Sequence, residues 1–235
     1  MGDPGRRYRF DGFLSDKHKF LFVHIPKTGG TSIKRALIDY ANNNLMKFDG
    51  EAVTDTCKRY KPHGILSKDA ATLYKDYFKF TFVRNPWARY ASIYKWIKKR
   101  RANPDSGFTF IEDIISELTF SQYIKSITGG ELLKIKHYTA HSQLSFIHKK
   151  KKKKIKSYYS KGGEDKVLVD RVFKYENLSE DFETIKDILK LDSDLTLPHY
   201  KDTGKYDYRE MYNTETIELI KNHCKRDIET FEYQF

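Results

Sequence analysis

The stretch KFLFVHIPKTGGTSIKRALIDY, residues 19–40, decides the fold. Lys19–Ile25 is apolar, β-branched or aromatic, which predicts a strand. Pro26 ends the ladder, and Gly29-Gly30 let the chain turn without a Cβ penalty. Thr31-Ser32 are placed to cap a helix, and Ile33, Ala36, Leu37 and Tyr40 share one face of it. A strand, a glycine turn and a helix N-terminus make an anion cradle, because free backbone N–H groups point outward there. Lys27 adds a full charge to it.

A second unit of the same kind comes later in the chain. FKFTFV, residues 78–83, predicts a buried strand, preceded by a helix over 67–77. The strand runs into Arg84-Asn85-Pro86-Trp87, where Asn85 suits an N-cap and Pro86 the first helical position. The helix runs from Trp87 to about Arg101, with Tyr90, Ile93, Tyr94 and Ile97 at core spacing. Arg84 then stands at the carboxyl end of its strand, where open parallel sheets bind ligands. Ser92, two turns into the helix, is placed to face the same anion.

Further along, helices are predicted over 108–118 and 121–127, ended by Thr128-Gly129-Gly130. KVLVDRVFKY, residues 166–175, predicts a third strand, followed by a helix over 179–189 with Phe182, Ile185, Ile188 and Leu189 inward. A last helix is predicted over 214–231. Strands alternating with helices imply an α/β fold, a parallel β-sheet flanked by helices. The cradle is not a Walker A loop, in which the lysine follows the glycines; here Lys27 precedes Gly29-Gly30.

The chain has 235 residues, enough for one domain with a full core. Residues 1–18 read as an N-terminal extension and 19–235 as a single domain. The N-terminal stretch lacks the apolar segment of a signal peptide, and no run is long enough to span a bilayer. A soluble chain is expected. The net charge of +12 favours anionic partners. Lys149–Lys154 is an unbroken lysine run, within a basic loop over 149–163 expected to be mobile. Cys57 and Cys224 are the two cysteines, and their spacing does not say whether they pair. His63 lies in the turn Lys61-Pro62-His63-Gly64, on irregular backbone. No cluster has zinc-site spacing, so no metal is expected.

IPKTGGTS, residues 25–32, resembles the 5′-phosphosulfate loop of sulfotransferases that use 3′-phosphoadenosine 5′-phosphosulfate (PAPS), especially the carbohydrate, Golgi-type branch that includes heparan sulfate O-sulfotransferases. FVRNPWARYASIY, residues 82–94, resembles the 3′-phosphate segment of the same branch. The resemblance implies a P-loop-like sulfotransferase fold. It implies that Lys27, Thr28, Gly29, Gly30, Thr31 and Ser32 bind the donor's 5′ end and that Arg84 and Ser92 grip its 3′-phosphate. Lys27 would stabilise the leaving group, and His63 would be the base. His141, in the looser match over 138–144, is a second candidate base, with Gln143 a polar contact. Lys205 would close over the nucleotide from a late loop. The acceptor would be a hydroxyl on a carbohydrate or, alternatively, on a small molecule. Such an enzyme would be cytoplasmic, or Golgi-lumenal if the sequence is a trimmed catalytic domain. The rival readings are a P-loop nucleotide kinase, which would need magnesium and a lysine after the glycines, and a non-catalytic module for anionic glycan or nucleic acid, which leaves both motifs unexplained.

Overall fold

The computed structural model describes residues 13–41, 72, 74–101, 110–129, 141–147, 167–198 and 206–235. His63, Cys57, Lys205 and the lysine run Lys149–Lys154 lie outside the described residues.

Among the described residues, a sheet of four strands carries the fold, in the order β1 (Phe13–Ser15), β2 (Phe20–Val23), β3 (Phe78–Val83) and β4 (Arg171–Lys174). β2, β3 and β4 run parallel; β1 is antiparallel to β2, with Phe13 opposite Phe22. The sheet therefore draws its first strand from the stretch that reads in sequence as an extension. Between β2 and β3 come α1 (Gly30–Ala36) and a 3-10 turn, Ile38–Tyr40. Among the described residues, four helices separate β3 from β4: α2 (Pro86–Arg101), α3 (Phe110–Glu117), α4 (Phe120–Thr128) and the single turn α5 (Leu144–Ile147). After β4 come α6 (Leu178–Leu189), α7 (Thr214–His223) and α8 (Lys225–Phe231).

The two-residue period of the strands sorts their side chains to opposite faces. Phe20, Phe22, Phe80, Phe82 and Phe173 pack with Ile33 of α1 and Phe182 and Ile185 of α6. Leu21, Val23 and Val83 pack on the other face with Leu144 and Phe146 of α5 and Phe231 of α8. Each fully buried phenylalanine contributes about 2–3 kcal/mol over an exposed one. A separate helical cluster joins Tyr90, Ile93 and Ile97 of α2 to Ile115, Ile124, Ile127 and Ile220. Arg100 of α2 is tied to the buried Glu112 of α3 by an ion pair of 2.9 Å.

Several boundaries depart from the sequence reading. Tyr74–Tyr77 form a turn rather than the end of a helix, and the Tyr77 N–H donates to the Tyr74 carbonyl. The third strand is shorter than 166–175: residues 168–170 form a bend, although the Asp170 N–H still donates to the Lys79 carbonyl (2.7 Å). The Asp170 carboxylate takes both the Lys79 N–H (2.7 Å) and the Lys79 ammonium (2.9 Å). Ile188 faces solvent, 39 % exposed, while Phe182, Ile185 and Leu189 are buried. The last helix is two, interrupted at Cys224 with no proline or glycine to mark the break. Cys224 is a free, buried thiol.

The α2 start is as the sequence predicts. The Asn85 Oδ1 accepts from the N–H groups of Trp87 (3.1 Å) and Ala88 (3.4 Å), and its Nδ2 donates to the Gln234 carbonyl (2.7 Å). Asn85→Ala removes the cap and the tie to the C-terminal segment together. Its expected cost is about 1–2 kcal/mol, read as a lower urea midpoint at unchanged slope.

Candidate functional site

The parallel strands β2, β3 and β4 end on one edge of the sheet, and each runs straight into a residue of the site. After β2 the chain passes through His24 and Ile25 into Pro26–Gly29. Two residues here have left-handed backbone: Lys27 (φ 71°) and Gly29 (φ 84°). A lysine held there is strained by about 1 kcal/mol, so the surrounding contacts must impose it. The Thr28 hydroxyl donates to the Ile25 carbonyl at 2.8 Å and is buried, closing the loop on itself. Two arginines hold the loop from outside. The Nε of Arg89 donates to the Pro26 carbonyl at 3.0 Å, and the Nη1 of Arg84 to the Lys27 carbonyl at 3.4 Å.

Thr31 and Ser32 do not cap α1. The N-cap is Gly29, whose carbonyl takes the N–H of Ser32 (2.9 Å) and of Ile33 (3.3 Å). Thr31 is exposed and Ser32 buried. With the Ser32 amide engaged and a helix of seven residues, the charge of Lys27 outweighs the helix end as an anion attractor. His24 packs beneath this turn. Its ring stacks on Phe22 with centroids 5.9 Å apart and lies against Gly30, so a Cβ at Gly30 would collide with the imidazole. Burial first, then the charges of Lys34 and Lys27, pushes the His24 pKa down to about 4. The ring is therefore neutral at pH 7 and adds no charge of its own to the cradle.

Arg84 follows β3. Its guanidinium lies 4.1 Å from the Tyr175 ring, which follows β4, and its Nε is buried with no hydrogen-bond partner among the described residues. The same Tyr175 ring, with Leu178, fills the space beside Gly29, where a Cβ would meet them at 3.0–3.1 Å. One aromatic ring thus touches both the glycine turn and the arginine. Glu176 steadies this junction: its Oε1 accepts from the Asn85 N–H (2.8 Å) and its Oε2 from the Tyr233 hydroxyl (3.0 Å).

α2 forms the remaining wall. Arg89, Ser92 and Trp96 fall on one flank at helical spacing. Arg89 holds Pro26, and the Lys27 ammonium lies 5.4 Å from the Trp96 ring, so Ser92 sits between two residues that touch the loop. Ser92 is 4 % exposed. One turn on, the Lys95 ammonium lies 3.2 Å from the Tyr206 ring centroid. Tyr206 and Tyr208 lie within the field of Arg84, though burial raises both phenol pKa values more than that charge lowers them.

Lys27, the glycine turn, Arg84 and Ser92 thus come together at one sheet edge, while His63 and Lys205 lie outside the described residues. Gln143 is buried, and its side chain serves the backbone of Arg84: Oε1 accepts the Arg84 N–H and Nε2 donates to the Arg84 carbonyl, both at 2.8 Å. The carbonyl of His141 accepts from the Nη1 of Arg89 at 3.0 Å. Sequence reasoning missed His24, Arg89, Glu176 and Asp227. Arg89 left a trace, an arginine on a helix flank otherwise built of alanine, serine and aromatics. Asp227 left none, because its partners lie 83 and 84 residues away.

Known proteins match this arrangement in sequence. A family model described as the sulfotransferase family matches residues 11–234. Carbohydrate sulfotransferase 10 of Xenopus laevis is 34 % identical over 87 residues, covering 35 % of this chain and 24 % of that protein. The Homo sapiens protein of the same name is 37 % identical over 87 residues with the same coverage. The Danio rerio protein is 33 % identical over 101 residues, covering 39 % of this chain and 27 % of its own length. The chain thus spans about a quarter of the length of the curated relatives it matches. No solved structure matches it significantly. With the family model matching residues 11–234, nearly the whole length, the chain belongs to the sulfotransferase family.

Proposed function

We propose that this chain transfers a sulfuryl group from PAPS to a hydroxyl of a carbohydrate acceptor. The observation that carries the reading is the convergence of Lys27 and Arg84, joined by a bond from the Arg84 Nη1 to the Lys27 carbonyl. Two fixed cations at the carboxyl ends of parallel strands suit a ligand anionic at two ends. The residues present fit such a donor: the backbone turns closely at Gly29-Gly30, Lys27 supplies charge, and Arg84 retains a buried N–H without a protein partner among the described residues. The carbohydrate acceptor rests on the name of the relatives.

When bound, the donor supplies the sulfuryl group and a phosphate leaving group. Lys27 and the backbone of the turn bind the 5′ end, with Thr28 shaping the loop and Thr31 and Ser32 at its rim. Arg84 and Ser92 take the 3′-phosphate, and Lys205 closes over the nucleotide. As the bond from sulfur to the phosphate oxygen breaks, negative charge collects on that oxygen, and the Lys27 ammonium neutralises it. The acceptor oxygen forms the new bond to sulfur while its proton passes to a base near neutral pKa, assigned to His63, with His141 the second candidate. Neither role needs a divalent ion.

The test is calorimetric binding of 3′-phosphoadenosine 5′-phosphate, beside ADP and ATP, without metal, to wild type and Arg84→Ala. Metal-free binding that prefers the 3′-phosphorylated nucleotide, and weakens by about 10–100-fold in the variant, supports the donor assignment. Equal affinity for magnesium-ATP would overturn it.

A further inference from the structure

Resting on that donor reading, we infer that the segment His141–Leu144 sets the spacing between the two phosphate grips, with the buried Gln143 and Asp227 as positioning residues. Neither residue reaches the site edge; both are 0 % exposed.

The connections run through named atoms. Asp227 of α8 accepts the N–H of Gln143 on Oδ2 (2.6 Å) and the N–H of Leu144 on Oδ1 (3.0 Å). Both carboxylate oxygens are thereby committed to the start of α5. Gln143 then holds Arg84 by both backbone groups, its amide pairing with that residue as a neighbouring strand would. Only one orientation of the amide satisfies both bonds, because the carbonyl oxygen must face the N–H and the NH₂ must face the carbonyl. Two residues earlier, the His141 carbonyl accepts from Arg89, whose Nε holds the Pro26 carbonyl beside Lys27. The loop of Lys27 and the backbone of Arg84 are thus referred to the same four residues, which are referred in turn to one carboxylate. The two bonds to Asp227 and the bond to the Pro26 carbonyl are buried, so no water replaces them and the positions they impose are stiff.

Gln143 acts on Arg84 and not directly on the loop. Loosening it should weaken the grip on the 3′-phosphate and leave the 5′ end nearly intact. The probes are 3′-phosphoadenosine 5′-phosphate and adenosine 5′-phosphate, which differ only in that phosphate. Their dissociation constants are measured by calorimetry on wild type, Gln143→Met and Asp227→Asn. Ile127→Ala, a core change in the helical cluster that takes no part in these bonds, controls for general destabilisation.

Wild type prefers the 3′-phosphorylated probe. In Gln143→Met that preference falls about tenfold, while adenosine 5′-phosphate binds within about twofold of wild type. Asp227→Asn moves the preference in the same direction, and Ile127→Ala leaves it unchanged. If Gln143→Met does not fold, Gln143→Glu replaces it: it keeps the bond from the Arg84 N–H and loses the other. A preference unchanged in the folded Gln143 variant, or a parallel loss for both probes, overturns the inference while the donor reading stands. A wild type without any preference overturns the donor reading first, and this inference with it.

Discussion

Lys27→Ala lowers turnover by about 10²–10³-fold, the usual loss when one preorganised charge is withdrawn from a leaving group. Alanine carries the same left-handed backbone cost as lysine at φ 71°, so the backbone geometry is matched, and the change removes the ammonium together with the stem and its contact to Trp96. The carbonyl contacts that fix the loop, from Arg89 to Pro26 and from Arg84 to Lys27, involve backbone oxygens that any residue supplies. Donor affinity should change less than turnover, because charge on the bridging oxygen grows only as the bond breaks. Single-turnover rates beside equilibrium binding separate the two. An unchanged rate at saturating donor would remove Lys27 from the chemistry.

Gly30→Ala is the second large effect, and it acts on the fold under the site. The added methyl runs into the His24 imidazole, so the ring or the turn must shift. The ring is stacked on Phe22, which is fully buried in the phenylalanine face of the sheet. Overpacking of this kind costs about 1–3 kcal/mol. The site suffers further if the turn lifts away from the strand ends to accept the methyl. His24→Ala opens the space, so the double variant His24→Ala/Gly30→Ala should be more stable than the sum of the single changes predicts. The difference is an interaction energy of about 1–3 kcal/mol, readable from urea midpoints. Additive effects would mean that histidine and glycine do not meet.

What the sequence made legible was local. FKFTFV is a strand to the residue, and Asn85-Pro86 starts α2 with the cap that residue chemistry predicts. The approach of Lys27 and Arg84 to one sheet edge was legible because each follows a strand of the same parallel pair. Long-range closure was not. Gln143 read as a site contact, yet it is a buried clamp on the Arg84 backbone, a role set by a strand end 59 residues away. Asp227 lies in a stretch of plain amphipathic pattern that gives no cause to break the helix at Cys224. The three residues Phe13–Ser15 were obscured by the charged sequence around them, and pairing with β2 makes them a strand. His24 looked like one more residue of the strand, and only the turn of Gly30 back over its ring gives it a task.

The two outermost strands among the described residues have a bearing on solubility. β1 has three residues and β4 four, and β4 begins where Asp170 bends away with its carboxylate on Lys79. An edge strand is a template for a second chain in proportion to the length of flat backbone it offers. These edges offer little, and the exposed Arg171 places a charge at the opening of the longer one. A protein with phenylalanines massed on one sheet face depends on that brevity when the face is briefly uncovered during folding. The bend at Asp170 keeps that edge short, and Asp170→Val is expected to exchange the salt bridge to Lys79 for a greater tendency to self-associate, read by sedimentation velocity.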